Sequence, residues 1–495
     1  MIVEPYKRIP KKPRLALIND DGVYVDETGA IFNSTSDYKF KRGEIVCYAL
    51  WDTAISLTQR GIGEFQRWNG KDVRYRTELH LDENEWKIRP LDAGIIQFPV
   101  SIDLPFDEVL KQLVEFRDWL DDEGSKAQCT FGSIAISLLK AKIDRRIITG
   151  LGGGQNSPPI EFTRGGRQYL PPGGSGRFDG SISNWDLPAA YASTIGNINW
   201  DGYWCQCPYK HAVKAYNRGL PVYVHATVEI PSLTVGPLPI NHTHPPNPLS
   251  TAIHHIHGYP VDKKLEGIWT LNELLSAEEA GCKFTPLICW TMMTDKQPFL
   301  PWWSAIKTGR QLSGPISRAL AKRTGNALWG TFCRDGNQKG KKIAVHYDNG
   351  KRKVRRLNYR NNTQPAGHDL AEAISSSVRA KLYQHILAAD THLLSAHTDG
   401  MWVQGKYTVP DGWRIKQEAQ RIDLLDPQNL RYYISANNSR VVMSGVPYKL
   451  APEKFEERWE RFEHYNSNPD DLPDVRKSSG NTRRIFRYPT PPNQE

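Results

Sequence analysis

Apolar residues recur at helical spacing in residues 105–124 (PFDEVLKQLVEFRDWLDDEG), where Val109, Leu110, Leu113, Phe116, Trp119 and Leu120 form one stripe. That pattern predicts a helix with a single buried face. The rest of residues 1–150 mixes short strand patterns with a second helix. Gly and Pro crowd residues 150–180, which reads as a linker or a loop laid against other structure. Residues 181–185 then predict a short strand that ends at Asp186, with Pro188 suited to the first turn of a following helix. Between 219 and 235 apolar and polar residues alternate, as a sheet with one buried face requires. The stretch 236–262 is loop-like and rich in histidine, and 300–335 is helical and basic. In 343–357 alternating residues flank Asn349-Gly350, a hairpin signal. A long amphipathic helix is predicted over 369–389, feeding a strand at 391–397, a turn at 398–400 and a strand at 401–403. A helix over 453–465 and a basic, Pro-containing tail expected to be disordered complete the reading. No internal repeat is visible.

Composition narrows the function. The 495 residues carry 64 Lys+Arg against 54 Asp+Glu, a formal surplus of +10 that favours polyanionic partners and salt-weakened binding. The 7 cysteines follow no framework spacing, which points to a reducing compartment. The basic N-terminus lacks the apolar core of a signal peptide, and no apolar run approaches the roughly 20 residues that span a bilayer. A soluble, cytoplasmic protein with no membrane partner is expected.

Three short segments hold the candidate chemistry. Asp186-Leu-Pro-Ala-Ala-Tyr191 and His397-Thr-Asp399-Gly400 each place an aspartate at a predicted strand end. Two carboxylates that converge repel each other unless divalent cations stand between them. Mg²⁺ suits such a pair because it takes one or two carboxylates and completes its shell with water and phosphate. Between these segments, Lys322 and Asn326 share a helix face, with Arg318 one turn earlier and Arg310 two turns before that. The row Arg310, Arg318, Lys322 reads as a triphosphate site. Asn326 and Gly330 would leave room for a base pair to lie flat on the helix. Tyr191 is placed to lie under the sugar of an incoming nucleotide and exclude a 2′-hydroxyl. Each aspartate taken singly suits a turn cap, and a basic helix face is most often a solvated one.

The segments resemble the motifs of the family B DNA polymerases. D-L-P-A-A-Y is similar to their motif A (D-x-x-S-L-Y), K-R-T-G-N-A-L-W-G to motif B (K-x-x-x-N-S-x-Y-G), and S-A-H-T-D-G to motif C (Y-x-D-T-D-S). Thr163-Arg164-Gly165-Gly166 resembles the Y-x-G-G segment, and Arg431-Tyr-Tyr433 the K-x-Y motif. Order and gaps match the small protein-primed phage and plasmid branch over roughly residues 160–440, with room for its two insertions in 236–300 and around 341–360. The resemblance implies a mixed α/β (α+β) right hand with palm, fingers and thumb behind a short exonuclease-like domain. It implies Asp186, Asp399 and the Leu187 carbonyl as ligands of two Mg²⁺ ions, with Mn²⁺ a substitute. Lys322, Arg310 and Arg318 would hold the triphosphate, Tyr191 would be the steric gate, and Trp329 replaces the family's tyrosine. Arg164, Gly165, Gly166, Arg431 and Tyr433 would touch DNA. Primer–template DNA and dNTPs are the implied partners, together with a terminal protein if priming uses a protein hydroxyl. A phage, virus or plasmid is the implied source.

Two departures qualify this. His397 stands where D-T-D begins, and an imidazole there alters the local charge by about one unit, weakening metal binding or favouring Mn²⁺. Asp26-Glu27 and Asn69-Gly-Lys-Asp72 do not supply the family's exonuclease carboxylates, so proofreading is expected to be lost. The expected domains are a degenerate exonuclease-like domain at 1–150, a linker at 151–180 and palm with insertion at 181–300. Fingers follow at 301–340, the hairpin insertion at 341–365, palm at 366–425, and thumb with basic tail at 426–495. A catalytically impaired DNA-binding descendant and a primase-like or gap-filling polymerase are the competing readings. Cys205-x-Cys207 with His211, His242, His244, His254, His255 and His257 invites zinc, but the spacing and the Pro-rich loop favour reduced cysteines and surface histidines.

Overall fold

The computed structural model describes strand segments between residues 15 and 97 and, beyond them, 106–125, 131–144, 147, 156–160, 163–164, 167–169, 176–233, 235–243, 255–259, 261–293, 295–333, 339–348, 351–360, 367–389, 392–405, 408–426, 431–436 and 440–444. The expected helix over 453–465, the basic tail, the hairpin tip Asn349-Gly350 and Asp26-Glu27 lie outside the described residues. The fold mixes helices with antiparallel and mixed sheets. It divides into two units, Met1–Glu161 with Tyr191–Cys205 and Met292–Ala371, and Phe162–Ala190 with Gln206–Thr291 and Glu372–Glu495.

In the first unit the apolar stripe forms helix α1 (Phe106–Asp122). All six stripe residues are buried, and Asp107 and Glu108 in the first turn complement the helix dipole. The helix stops at Gly124, whose φ of +72° suits a residue without Cβ, as the Ser125 N–H turns back to the Leu120 carbonyl. The basic stretch 300–335 is two helices, α2 (Leu300–Gly309) and α3 (Pro315–Phe332). The sequence explains the break. A Cβ on Gly309 would lie 2.5 Å from the Trp119 ring, so the chain passes there only as glycine. Pro315 then starts a new helix at its first position, with Gly314 held extended before it (φ −78°, ψ 139°).

The free N–H groups at the start of α3 are met by side chains of α1. Glu115 accepts hydrogen bonds from the Ser313 and Gly314 N–H groups and from the Ser313 and Ser317 hydroxyls, and Gln112 accepts from the Ile316 N–H. Burial pushes the Glu115 carboxyl up, but the Ser317 and Ser313 hydroxyls and the two N–H groups outweigh it and hold it down at about 2. The same unit has a five-stranded mixed sheet in its N-terminal part. It also contains the expected basic hairpin, Lys339–Asp348 paired with Lys351–Arg360.

The second unit is built on an antiparallel sheet of β1 (Arg167–Tyr169), β2 (Gly176–Asp186), β3 (Leu393–Thr398), β4 (Gly400–Gln404), β5 (Arg414–Asp426), β6 (Arg431–Ala436) and β7 (Arg440–Ser444). Their order is β1-β3-β4-β2-β5-β6-β7. Helix α4 (His368–Ala389) belongs to this unit from Glu372 onward. Its Leu382, Tyr383 and Ile386 pack with Trp185 of β2, Ala396 of β3 and Met401 and Val403 of β4 in one core. A second core lies under the strands Val222–Ile230, Lys263–Thr270 and Lys283–Met292. The loop-like reading of 236–262 is corrected: Ile240–Thr243 pairs antiparallel with His255–Gly258. The ladder there uses backbone groups, which a polar, histidine-rich sequence does not advertise.

Candidate functional site

Asp186 is the last residue of β2, opposite Gly400 of β4 on one side and Arg414 of β5 on the other. Strands β3 and β4 are joined through Thr398 and Asp399, and the pair His397 and Gly400 closes the hairpin. The next peptide locks the two aspartate segments together, because the Leu187 N–H donates to the Asp399 carbonyl at 2.9 Å. Segments far apart in sequence thus meet at one end of the sheet. Gly400 is required for that approach: a Cβ there would stand 2.8 Å from the Trp185 carbonyl oxygen and 3.9 Å from the Asp186 Cα. Thr398 takes a left-handed φ of +62°, an unusual state for a β-branched residue and a mark of local strain beside Asp399. Pro188 is not in the first turn of the following helix. It lies in a turn closed by Ala190 N–H to the Leu187 carbonyl (3.3 Å), with Ala189 at φ +55°, and the helix starts at Ala190.

Asp186 is 7 % exposed and has two cationic partners. Arg414 Nη2 lies 3.1 Å from its Oδ2 and Lys416 Nζ 3.3 Å from its Oδ1. A bulge in β5 produces this pairing: Asn184 faces Gln417 while Trp185 faces Ile415, so Lys416 is the extra residue. Such a bulge re-aims a side chain. The sequence reading missed both cations, although their R-x-K spacing on a strand was the available signal. Among the described residues no group of three or more His, Cys, Asp or Glu could hold a metal ion. Asp186 at the end of β2 and Asp399 in the β3–β4 turn are two carboxylate residues, and one or two is the number Mg²⁺ takes from a protein before water and phosphate complete its shell. The side chains of His242, His244, His254, His255 and His257, on which the cysteine–histidine zinc reading draws, lie outside the described residues. Cys282 and Cys289 are buried thiols, and that burial pushes them up to about 11.

In the first unit α3 presents Arg318, Lys322, Asn326 and Gly330 at four-residue steps, all exposed. Its opposite face, including Leu320, Thr324, Leu328 and Phe332, is buried. A Cβ on Gly330 would meet nothing within 4 Å among the described residues. The Trp329 ring N–H donates to the Ala371 carbonyl at 3.2 Å, and its ring lies 5.0 Å from the buried ring of Tyr191. Two residues singled out from separate motifs are therefore neighbours. The row of three cations is corrected: Arg310 caps the end of α2 and does not share the α3 face, because Gly309 and Pro315 divide the helix. Arg318 Nη1 donates to the Leu312 and Ser313 carbonyls across that break.

Arg164 turns inward. Its Nε donates to Glu372 (2.6 Å), its Nη1 to the Pro239 carbonyl and its Nη2 to the Ile268 carbonyl, and Arg379 joins Glu372 to Glu273. These charges are buried, and the two carboxylates hold the Arg379 guanidinium protonated against its burial. The Arg164 side chain is thus a structural tie, buried rather than presented to solvent. Gly165 and Gly166 lie outside the described residues. Arg431 and Tyr433 fall on β6, beside β5.

No protein-family model matches the chain. No curated protein sequence matches it either. Solved structures do. Phi29 DNA polymerase complexed with primer-template DNA and incoming nucleotide substrates aligns with a TM-score of 0.59 at 12% identity, over 91% of this chain and 95% of that one. The same polymerase complexed with primer-template DNA alone aligns with a TM-score of 0.52 at 12% identity, over 90% of each chain. The fold is shared with Phi29 DNA polymerase. At this identity the likeness speaks for the fold, and it agrees with the polymerase resemblance of the motifs. Among the described residues no helix is long and apolar enough to cross a membrane.

Proposed function

We propose that the chain is a template-directed DNA polymerase that adds dNTPs to a primer 3′-hydroxyl or to a protein hydroxyl. The observation that carries this reading is the joining of Asp186 and Asp399 at one end of an antiparallel sheet, in a chain that shares its fold with a DNA polymerase. On this reading the sheet is the palm, α2 and α3 belong to the fingers, and Asp186, Asp399 and the Leu187 carbonyl are the metal ligands. Two bound Mg²⁺ ions would acidify the attacking hydroxyl and neutralise the leaving pyrophosphate. The chain's own contribution is to hold the two carboxylates through the Leu187 to Asp399 bond and the bare Gly400. Lys322, Arg318 and Arg310 are assigned to the triphosphate, Asn326 and Gly330 to the base pair, and Tyr191 with Trp329 to the sugar, on the motif resemblance. Arg431 and Tyr433 are assigned to the primer strand on the same basis.

Extension of a labelled DNA primer on a template, with Mg²⁺ and separately Mn²⁺, tests the proposal. Templated addition by the wild type that is lost in Asp186→Ala and in Asp399→Ala is the expected result. Addition that survives either substitution would sink it. A mismatched primer terminus is expected to persist, since the N-terminal carboxylate pattern for proofreading is missing. A second reading, a DNA-binding descendant without catalysis, draws on the two cations that occupy both oxygens of Asp186. DNA binding without addition under either metal, with DNA, RNA or protein primers, would favour it.

A further inference from the structure

Arg414 and Lys416 have no part in the motifs. They are about half exposed, yet each reaches one oxygen of an almost buried carboxylate, and a β-bulge makes the second reach possible. Two cations on one carboxylate exceed what charge balance requires. When the carboxylate takes other partners, the two cations are left to pair with another anion, and phosphate oxygens suit both. We infer that Arg414 and Lys416 are exchange residues. They hold the Asp186 carboxylate in the unloaded protein and move onto backbone phosphates of the primer–template duplex when divalent cations bind Asp186. This inference rests on the proposed polymerase reading.

The physical argument has two parts. A divalent cation approaching Asp186 meets two positive charges within 3.3 Å of its oxygens, which lowers metal affinity until they leave. Once released, a half-exposed arginine and lysine on neighbouring positions of one strand are matched to phosphate oxygens, the guanidinium by its fork and the ammonium as a point charge. Metal and duplex would then help each other bind, since each removes what obstructs the other. Arg414 and Lys416 act as positioning residues.

The test uses the full chain, with Mn²⁺ alone as the first probe, read by the electron paramagnetic resonance of free Mn²⁺ without DNA. R414Q/K416Q is expected to bind Mn²⁺ roughly tenfold more tightly than the wild type at low salt. The second probe is a primer–template duplex without metal-dependent turnover, titrated across salt. The logarithmic salt slope of R414Q/K416Q is expected to be shallower by about two units, one for each lost phosphate contact. An unchanged Mn²⁺ affinity overturns the inference, and so does an unchanged slope. R414K/K416R keeps both charges and is expected to behave as the wild type; if it binds Mn²⁺ as tightly as the glutamine variant, charge is not the cause and the inference falls. D186N separates this failure from that of the underlying reading. Mn²⁺ binding that is indifferent to D186N removes Asp186 as a metal ligand, whereas binding lost in D186N but unaltered in R414Q/K416Q overturns the exchange alone.

Discussion

At the scale of single residues, Gly400 has more influence than its size suggests. Its missing side chain lets β4 approach β2 at Asp186, and the obstacle to any replacement is a backbone carbonyl, which cannot rotate away. Gly400→Ala is expected to cost about 1–3 kcal/mol in a denaturant melt. It should also slow templated addition roughly 10–100-fold, because the carboxylates lose their alignment. Wild-type rates in that variant would show that strand spacing does not set the site. Glu372 predicts a different signature. It is buried between Arg164 and Arg379, so Glu372→Gln leaves charge uncompensated and is expected to cost about 3–5 kcal/mol in the same melt. Sequence patterns singled out Asp186, Asp399, Lys322 and Tyr191 as candidates, because each sits in a short segment whose neighbours define its element. The burial of Arg164 was not legible, because a basic residue in a motif looks the same whether it faces solvent or a buried glutamate. The partners of Glu115, Arg414 and Lys416 were not legible, since they lie far off in the chain.

At the scale of elements, α1 serves α3. Its Glu115 and Gln112 satisfy the helix start that sets the direction of the Arg318–Lys322–Asn326 face. A carboxylate held at about 2, against an ordinary value of 4.5, adds stability that is complete above pH 4.5 and lost as pH falls through 2. Glu115→Gln is expected to cost about 1–2 kcal/mol at pH 7, the discounted value for a partly exposed carboxylate with charge-assisted bonds. The gap between the two proteins should close between pH 4.5 and 2, which thermal melts across that range will show. A constant gap would mean the carboxylate's charge is irrelevant. Most helices and the basic hairpin were legible from periodicity and from Asn349-Gly350. The break between α2 and α3 was not, because it depends on Trp119 pressing on Gly309 from a distant helix.

At the scale of the whole molecule, the mixed fold and the order of its motifs were legible, whereas the division into two units was not. Each unit draws on three stretches of chain, and sequence windows read only neighbours. The formal surplus of +10 predicts that affinity for a primer–template duplex falls linearly in logarithmic plots against salt, which a titration from low to moderate ionic strength will check. Affinity insensitive to salt would count against a phosphate-borne interface. The strand order has a consequence for synthesis of the chain itself. β2 is central in its sheet, yet its neighbours β4 and β5 lie more than 200 residues downstream. At about 5–20 residues per second a ribosome needs roughly 10–40 s to deliver them. Throughout that interval the native partners of both edges of β2 do not yet exist, which leaves the strand that carries Asp186 open to mispairing.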